Sequence, residues 1–164
     1  MSNKELRMMK EKNIMTANPK FDLEDRLVDF AVRIINVVEA LPDSKAGRHV
    51  AGQLVRAGTS PAPNYGEAQS AESRRDFIHK MKIALKELRE TSVWLKIIER
   101  KPLCGPDRLR GITLECDELI SIFVKSIETA ARNCAREEQV EYHTEQTNHF
   151  LEAENSECRT RNSE

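Results

Sequence analysis

The chain lacks the features that announce several large classes of protein. No apolar run approaches the ~18 residues that a bilayer-spanning helix needs, and the opening MSNKELRMMKEKNIM carries charges where a signal peptide has its apolar centre. A protein without membrane association, in the cytoplasm, is therefore expected. The four cysteines, Cys104, Cys116, Cys134 and Cys158, are irregularly spaced with no CxxC pair, so neither a zinc site nor a disulfide framework is signalled. Reduced, structural thiols are the expectation. His49, His79, His143 and His149 are scattered, and no metal or other cofactor is expected. Aromatics are only 5% of the residues, which leaves little beyond Tyr65 and Trp94 for stacking on nucleic-acid bases. There is no strand-like alternation of useful length and no repeat of fixed period.

What the chain does have is charge and a helical rhythm. Charged residues make up 32% of its 164 residues, enough for one soluble domain with tails. Residues 1–20 carry five basic and two acidic groups, whereas residues 137–164 carry eight glutamates against two arginines. Such lopsided ends are typical of solvated segments, so residues 1–20 are expected to be a flexible N-terminal segment and residues 137–164 an acidic, largely disordered tail. The folded domain is then residues 21–136.

Within that span four segments repeat apolar residues every three to four positions. Asp22 can cap the first, which carries Leu23, Leu27, Phe30, Ile34 and Val37 or Val38 on one face before Leu41-Pro42 stops it. Asp43 or Ser44 can cap the second, whose inward face is small: Val50, Ala51, Leu54, Ala57 and Gly58. Ser73 can cap the third, where Phe77, Met81, Ala84, Leu88, Thr91, Leu95 and Ile98 form a bundle seam. A second apolar row on that helix, Ile83, Trp94 and Ile97, lies on another side and suggests an additional contact, with a further copy of the chain ahead of a wider intramolecular core. After Gly105-Pro106, a fourth segment runs through Ile112, Cys116, Leu119, Phe123, Ile127, Ala130 and Cys134 and ends or frays near Arg136. The pattern predicts an all-α, antiparallel up-down-up-down four-helix bundle.

The stretch RAGTSPAPNYGEAQS, Arg56 to Ser70, is the one place where the rhythm and the backbone chemistry disagree. Pro61 and Pro63 remove two helical donors and free the carbonyls of Ala57 and Thr59, a cost of about 3 kcal/mol or more for an interior proline. Propensity alone reads a loop. Against it, Arg56, Ser60, Asn64 and Glu67 recur at steps of four, four and three, which places them on one side of a continuing helix.

Several runs bear on that choice: Gln53-Leu54-Val55-Arg56-Ala57, the Ser60 to Asn64 proline segment followed by Glu67, Arg75-Asp76-Phe77-Ile78, Ile83-Ala84-Leu85, and Glu87-Leu88-Arg89-Glu90-Thr91 with Trp94-Leu95. Together, across residues 21–135, they resemble the four-helix-bundle family of the 23S rRNA intervening-sequence protein. The resemblance implies a second helix that continues, kinked, through Pro61 and Pro63, with Ser60 or water satisfying a freed carbonyl and the helix resumed by Asn64. It departs from the family's pattern in its second proline and in Gly66. The resemblance also implies a homopentamer, and a relationship to the accessory protein of diversity-generating retroelements, which binds nucleic acid and a reverse transcriptase. Arg56, Asn64, Glu67 and Glu90 match recurring family positions and are expected to form a buried or interfacial polar network that fixes helix register.

Three function classes are weighed on this basis. A non-enzymatic, self-associating scaffold or adaptor accounts for the seams and the spare Trp94 row. A nucleic-acid-binding accessory subunit, acting on RNA or DNA with a processing enzyme such as a reverse transcriptase, would use the basic third helix. Nine basic groups there outnumber four acidic ones, and Arg74, Arg75, Lys82, Lys86 and Arg89 are the expected phosphate contacts. A metal-carboxylate enzyme would want Glu-x-x-His pairs on core helices, and the helical part has none. No catalytic residue is assigned, and the first class is the reading adopted.

Overall fold

The computed structural model describes residues 22–161, with side chains through Glu137 and at Gln139, Val140 and His143. The N-terminal segment expected over residues 1–20 lies outside the described residues. Five helical stretches follow in order: α1 (Leu23–Glu39), α2 (Lys45–Thr59), α3 (Pro61–Gln69), α4 (Arg74–Arg100) and α5 (Pro106–Arg161). Among the described residues there are no strands, and α2 and α3 are two halves of one bent helix, so the architecture is the expected four-helix bundle.

The helix starts follow from side chains that accept otherwise orphaned N–H groups. Asp22 accepts from the amides of Glu24 and Asp25, Ser44 from Gly47, and Ser73 from Asp76. Pro106 supplies the pre-set φ of a first helical turn at the start of α5. Each helix then buries one stripe. Phe30, Ile34, Leu54, Met81, Leu88, Leu95, Ile98, Ile112, Leu119 and Phe123 are at most 1% exposed and form a single core. Phe77 is only half-buried but packs against it.

Contacts between helices give their directions. Ile34 late on α1 meets Gly58 of the bent α2–α3 helix, while Tyr65 further along it lies near Asp22 and Glu24 at the start of α1. Arg56 on α2 approaches Glu90 on α4 as Glu67 pairs with Lys80, and Arg74 at the start of α4 bonds Glu137 far along α5. Sequential neighbours are therefore antiparallel, and α1 is antiparallel to α5 as well, since Arg26 bonds Glu115 and Glu118 while Arg33 lies against Gly111. At Gly58 a Cβ would fall 2.7 Å from Ile34 Cγ2, so this glycine is what lets α1 and α2 approach so closely.

The proline stretch is a bend. Only Ser60 separates α2 from α3, it keeps right-handed helical geometry, and the chain does not reverse. The helix resumes at Pro61, within the expected bound of Asn64. Hydroxyls and an amide crowd the carbonyl ladder here: Thr59 Oγ1 donates to the Val55 carbonyl at 2.7 Å, Ser60 Oγ to Arg56 at 2.8 Å and Asn64 Nδ2 to Ser60 at 2.8 Å. Back-bonding of this kind bends helices. These bonds fall on carbonyls next to the two that the prolines free, so the side chains brace the kink rather than replace its missing donors.

At the C-terminus, in the stretch expected to be a flexible acidic tail, the described backbone continues α5 as helix through Arg161. The apolar seam stops near Ala130 and the half-buried Cys134, and beyond it a run rich in Glu keeps good helix propensity without a seam.

Candidate interaction surfaces

An opening flanked by positive charge lies between α4 and α5. Spacings of four and three bring Lys82, Lys86 and Arg89 to one edge of α4, and Leu85 on the same helix turns inward beside them. Val124, Ile127 and Glu128 complete the groove from α5, enclosing about 410 Å³. The three cations are exposed, and among the described residues none of them has an ion pair. Lys96 and Arg100, also exposed, continue the same side of α4 toward its C-terminus. The groove thus has an apolar floor and a positive wall, with one carboxylate in it.

Of the five expected phosphate contacts, Lys82, Lys86 and Arg89 line this groove. Arg74 does not. Its guanidinium makes a two-pronged pair with Glu137 at 2.8 and 3.1 Å, tying the start of α4 to α5. Arg75 stands exposed near the same end of α4.

The flank of α5 toward α1 is bridged by an ion pair, with a smaller opening of about 150 Å³ lined by Arg33, Asn36, Val37, Arg108 and Ile112. Arg26 of α1 donates to Glu115 and Glu118, both at 2.5 Å, and the Arg26 pKa rises chiefly through the bond to Glu115, against the opposing effect of its own burial. Sequence reasoning missed this bridge, because Arg26 sits among exposed residues of α1 and nothing in its spacing points to α5. Also missed was a second apolar row on α1, Val28, Val32 and Ile35, which are 48, 51 and 39% exposed. Steps of four and three were the available signal.

The expected polar network is split. Arg56 and Glu90 approach to 3.8 Å, with side chains 69 and 32% exposed, and Arg56 bonds more closely to Gln53 at 2.8 Å. Asn64 serves the bend, and Glu67 instead pairs with Lys80 at 2.6 Å, which raises the lysine pKa. Glu90 has a further role: its Oε1 also accepts from Trp94 Nε1 at 3.3 Å. Trp94 lies half-buried against the core, with the His49 ring edge-on at 5.9 Å. Ile83 is half-buried, and Ile97 is 39% exposed. Polar and apolar residues that were assigned separately therefore meet at one seam between α2 and α4.

The thiols divide by burial. Cys116 is fully buried, its Sγ donates to the Leu88 carbonyl at 3.4 Å, and desolvation raises its pKa from 9.0 to about 12. Cys104 is half-buried with its pKa also raised by burial. Among the described residues Cys104, Cys116 and Cys134 are free thiols, no helix is long and apolar enough to cross a membrane, and no three His, Cys, Asp or Glu side chains are grouped to hold a metal ion.

Comparison with known proteins supports the helical core and stops short of the C-terminal part of α5. Residues 20–125 match the profile of a family described as 23S rRNA-intervening sequence protein. A solved structure from Bacteroides thetaiotaomicron, described as a protein of unknown function from the S23 ribosomal protein family, is similar with a TM-score of 0.60 and 35% identity, over 63% of this chain and 96% of that one. No curated protein matches.

Proposed function

The chain belongs to the 23S rRNA-intervening sequence protein family, and from that premise we propose that it is a non-enzymatic, self-associating helical scaffold or adaptor, assembled as a homopentamer. The observation that carries this reading is the exposed apolar row Val28, Val32 and Ile35 on α1, with Ile97 exposed on α4 beside the half-buried Ile83 and Trp94. Exposed apolar residues at helical spacing gain little from the core of their own chain, and burying them against a second copy is favourable at about 25 cal/mol per Å² of apolar area. The non-enzymatic part is supported by the state of the reactive groups. The Cys116 thiol is sealed and held protonated, and the Glu115 and Glu118 carboxylates are occupied by Arg26. A cytoplasmic setting, which suits free thiols at Cys104, Cys116 and Cys134, belongs to the same proposal.

Sedimentation of the purified full chain tests it. A five-subunit mass that falls when Trp94→Ala/Ile97→Asp is introduced is the expected result, and a strict monomer at all working concentrations defeats the reading.

A second reading, an RNA- or DNA-binding accessory subunit that works with a processing enzyme such as a reverse transcriptase, is favoured by the unpaired cations Lys82, Lys86 and Arg89. Its test is a mobility shift of labelled RNA and DNA. Affinity that drops steeply with salt, and further on neutralising those three residues, would support it.

A further inference from the structure

We propose that the α4–α5 groove receives the acidic C-terminal arm of α5 from a second copy of this chain. The proposal concerns a surface separate from the Trp94 row and an element outside the matched family span, since the match ends at residue 125. Self-association of some kind is the only part of the preceding reading it shares.

The groove itself narrows the choice of occupant. A phosphate backbone offers negative charge but nothing apolar, whereas Leu85, Val124 and Ile127 floor this groove and Glu128 places a carboxylate in it. An acidic amphipathic helix supplies both charge and apolar surface. The chain carries such a segment. Residues 137–164 hold eight glutamates and two arginines, and the backbone is helical to Arg161. In the sequence, Glu138, Glu141 and Glu145 follow at steps of three and four, the same steps that separate Lys82, Lys86 and Arg89, taken in the opposite order. Val140 and Leu151, with Thr144 and Thr147 between them, recur at helical spacing about a third of a turn away.

Lengths agree as well. From residue 138 to residue 161 the arm spans about 36 Å, and the basic side of α4 from Lys82 to Arg100 spans about 27 Å, at 1.5 Å per helical residue. The arm cannot reach its own groove. Val124, Ile127 and Glu128 belong to the same continuous helix, which runs past the start of α4 at the Arg74–Glu137 pair and onward. Only another copy can place its arm there, so the contact is intermolecular by geometry.

A charge swap in the full-length chain tests this in trans. One variant carries Lys82→Glu/Lys86→Glu/Arg89→Glu, the other Glu138→Lys/Glu141→Lys/Glu145→Lys, with circular dichroism confirming that both fold. Each alone sets like charges at the contact, and each should lose about tenfold or more in low-salt association measured by sedimentation, the order of effect of reversing close interfacial charges. Mixed one to one, they should associate again, because each arm then meets a groove of opposite sign. Wild-type mass in either variant alone, or a mixture that stays dissociated, overturns the proposal. So does a groove variant that loses nucleic-acid binding without any change in mass. The outcomes separate from those for the scaffold. A Trp94→Ala/Ile97→Asp effect with silent charge variants sinks only the arm contact, and the reverse pattern sinks only the Trp94 interface.

Discussion

Helix α5 has two flanks that differ in how their charge is settled. Toward α1, Arg26 reaches two glutamates and closes that end of the seam, while an opening of about 150 Å³ beside Arg33 and Arg108 lies further along. Toward α4, Lys82, Lys86 and Arg89 face a groove whose only lining carboxylate is Glu128, and they have no ion pair among the described residues. Charges that are partly buried and paired serve the fold, because removing one partner leaves the other desolvated. Charges gathered on one side and left to water serve the fold poorly, since they repel one another, and their placement makes sense if something outside the chain neutralises them. The contrast separates the part of the surface that holds the bundle together from the part available to a partner.

The largest expected effect tests whether the groove is only a surface feature. Leu85 is 8% exposed and belongs to the core cluster, so Leu85→Ala should cost about 2–4 kcal/mol in chemical denaturation. A cost below 1 kcal/mol would mean the groove floor is detachable from the bundle. On the bridged flank, Arg26→Met should cost about 1–3 kcal/mol, because Glu115, with a side chain only 19% exposed, loses its partner. Were Arg26→Met neutral, the bridge to α1 would be ornamental and the contrast between the flanks would fail.

The side of α5 that packs on α4 carries a pH signature. Burial raises Cys116 from 9.0 to about 12, so the folded state holds this proton more tightly than the unfolded chain does. The stabilisation is complete below the unfolded value and is lost as pH climbs from 9.0 toward about 12. Denaturation midpoints should therefore fall over that window in the wild type and fall less in Cys116→Ala. At pH 8, alkylation should spare Cys116 while Cys104 and Cys134, both half-buried, react first. Equal rates at Cys116 and Cys134 would show that the α4–α5 seam opens readily.

The helices and their caps were legible in the sequence, because Asp22, Ser44 and Ser73 precede clear apolar stripes and local chemistry sets both. The bend needed more. Pro61 and Pro63 argue for a break, and only the side of the helix shared by Arg56, Ser60, Asn64 and Glu67, with the family resemblance, argued for continuity. The Arg26 bridge joins residues about ninety positions apart, and helical periodicity carries no information about which flank of a distant helix a side chain will meet. The groove was half visible for the same reason. Its α4 wall is a local spacing, while Val124, Ile127 and Glu128 enter only when α5 is laid alongside. Beyond residue 136 the apolar seam that made the four helices legible is missing, so periodicity there carries no signal for or against the helix that continues α5.

The smallest effect is the most discriminating for the open flank. Replacing Lys82, Lys86 and Arg89 together with glutamine keeps long, polar side chains that can still cover Leu85 with their stems, while removing three positive charges. If these cations hold nothing in their own chain, the triple variant should change stability by no more than about 0.5 kcal/mol, and relief of mutual repulsion sets the direction toward a gain. The measurement is a urea titration at low and high salt. Wild type should gain slightly as salt screens the repulsion, and the variant should not respond, so the two curves converge. A loss above 1 kcal/mol would place the three cations in the fold and erase the difference between the flanks, since a residue needed to hold α4 against α5 is not free to greet another helix.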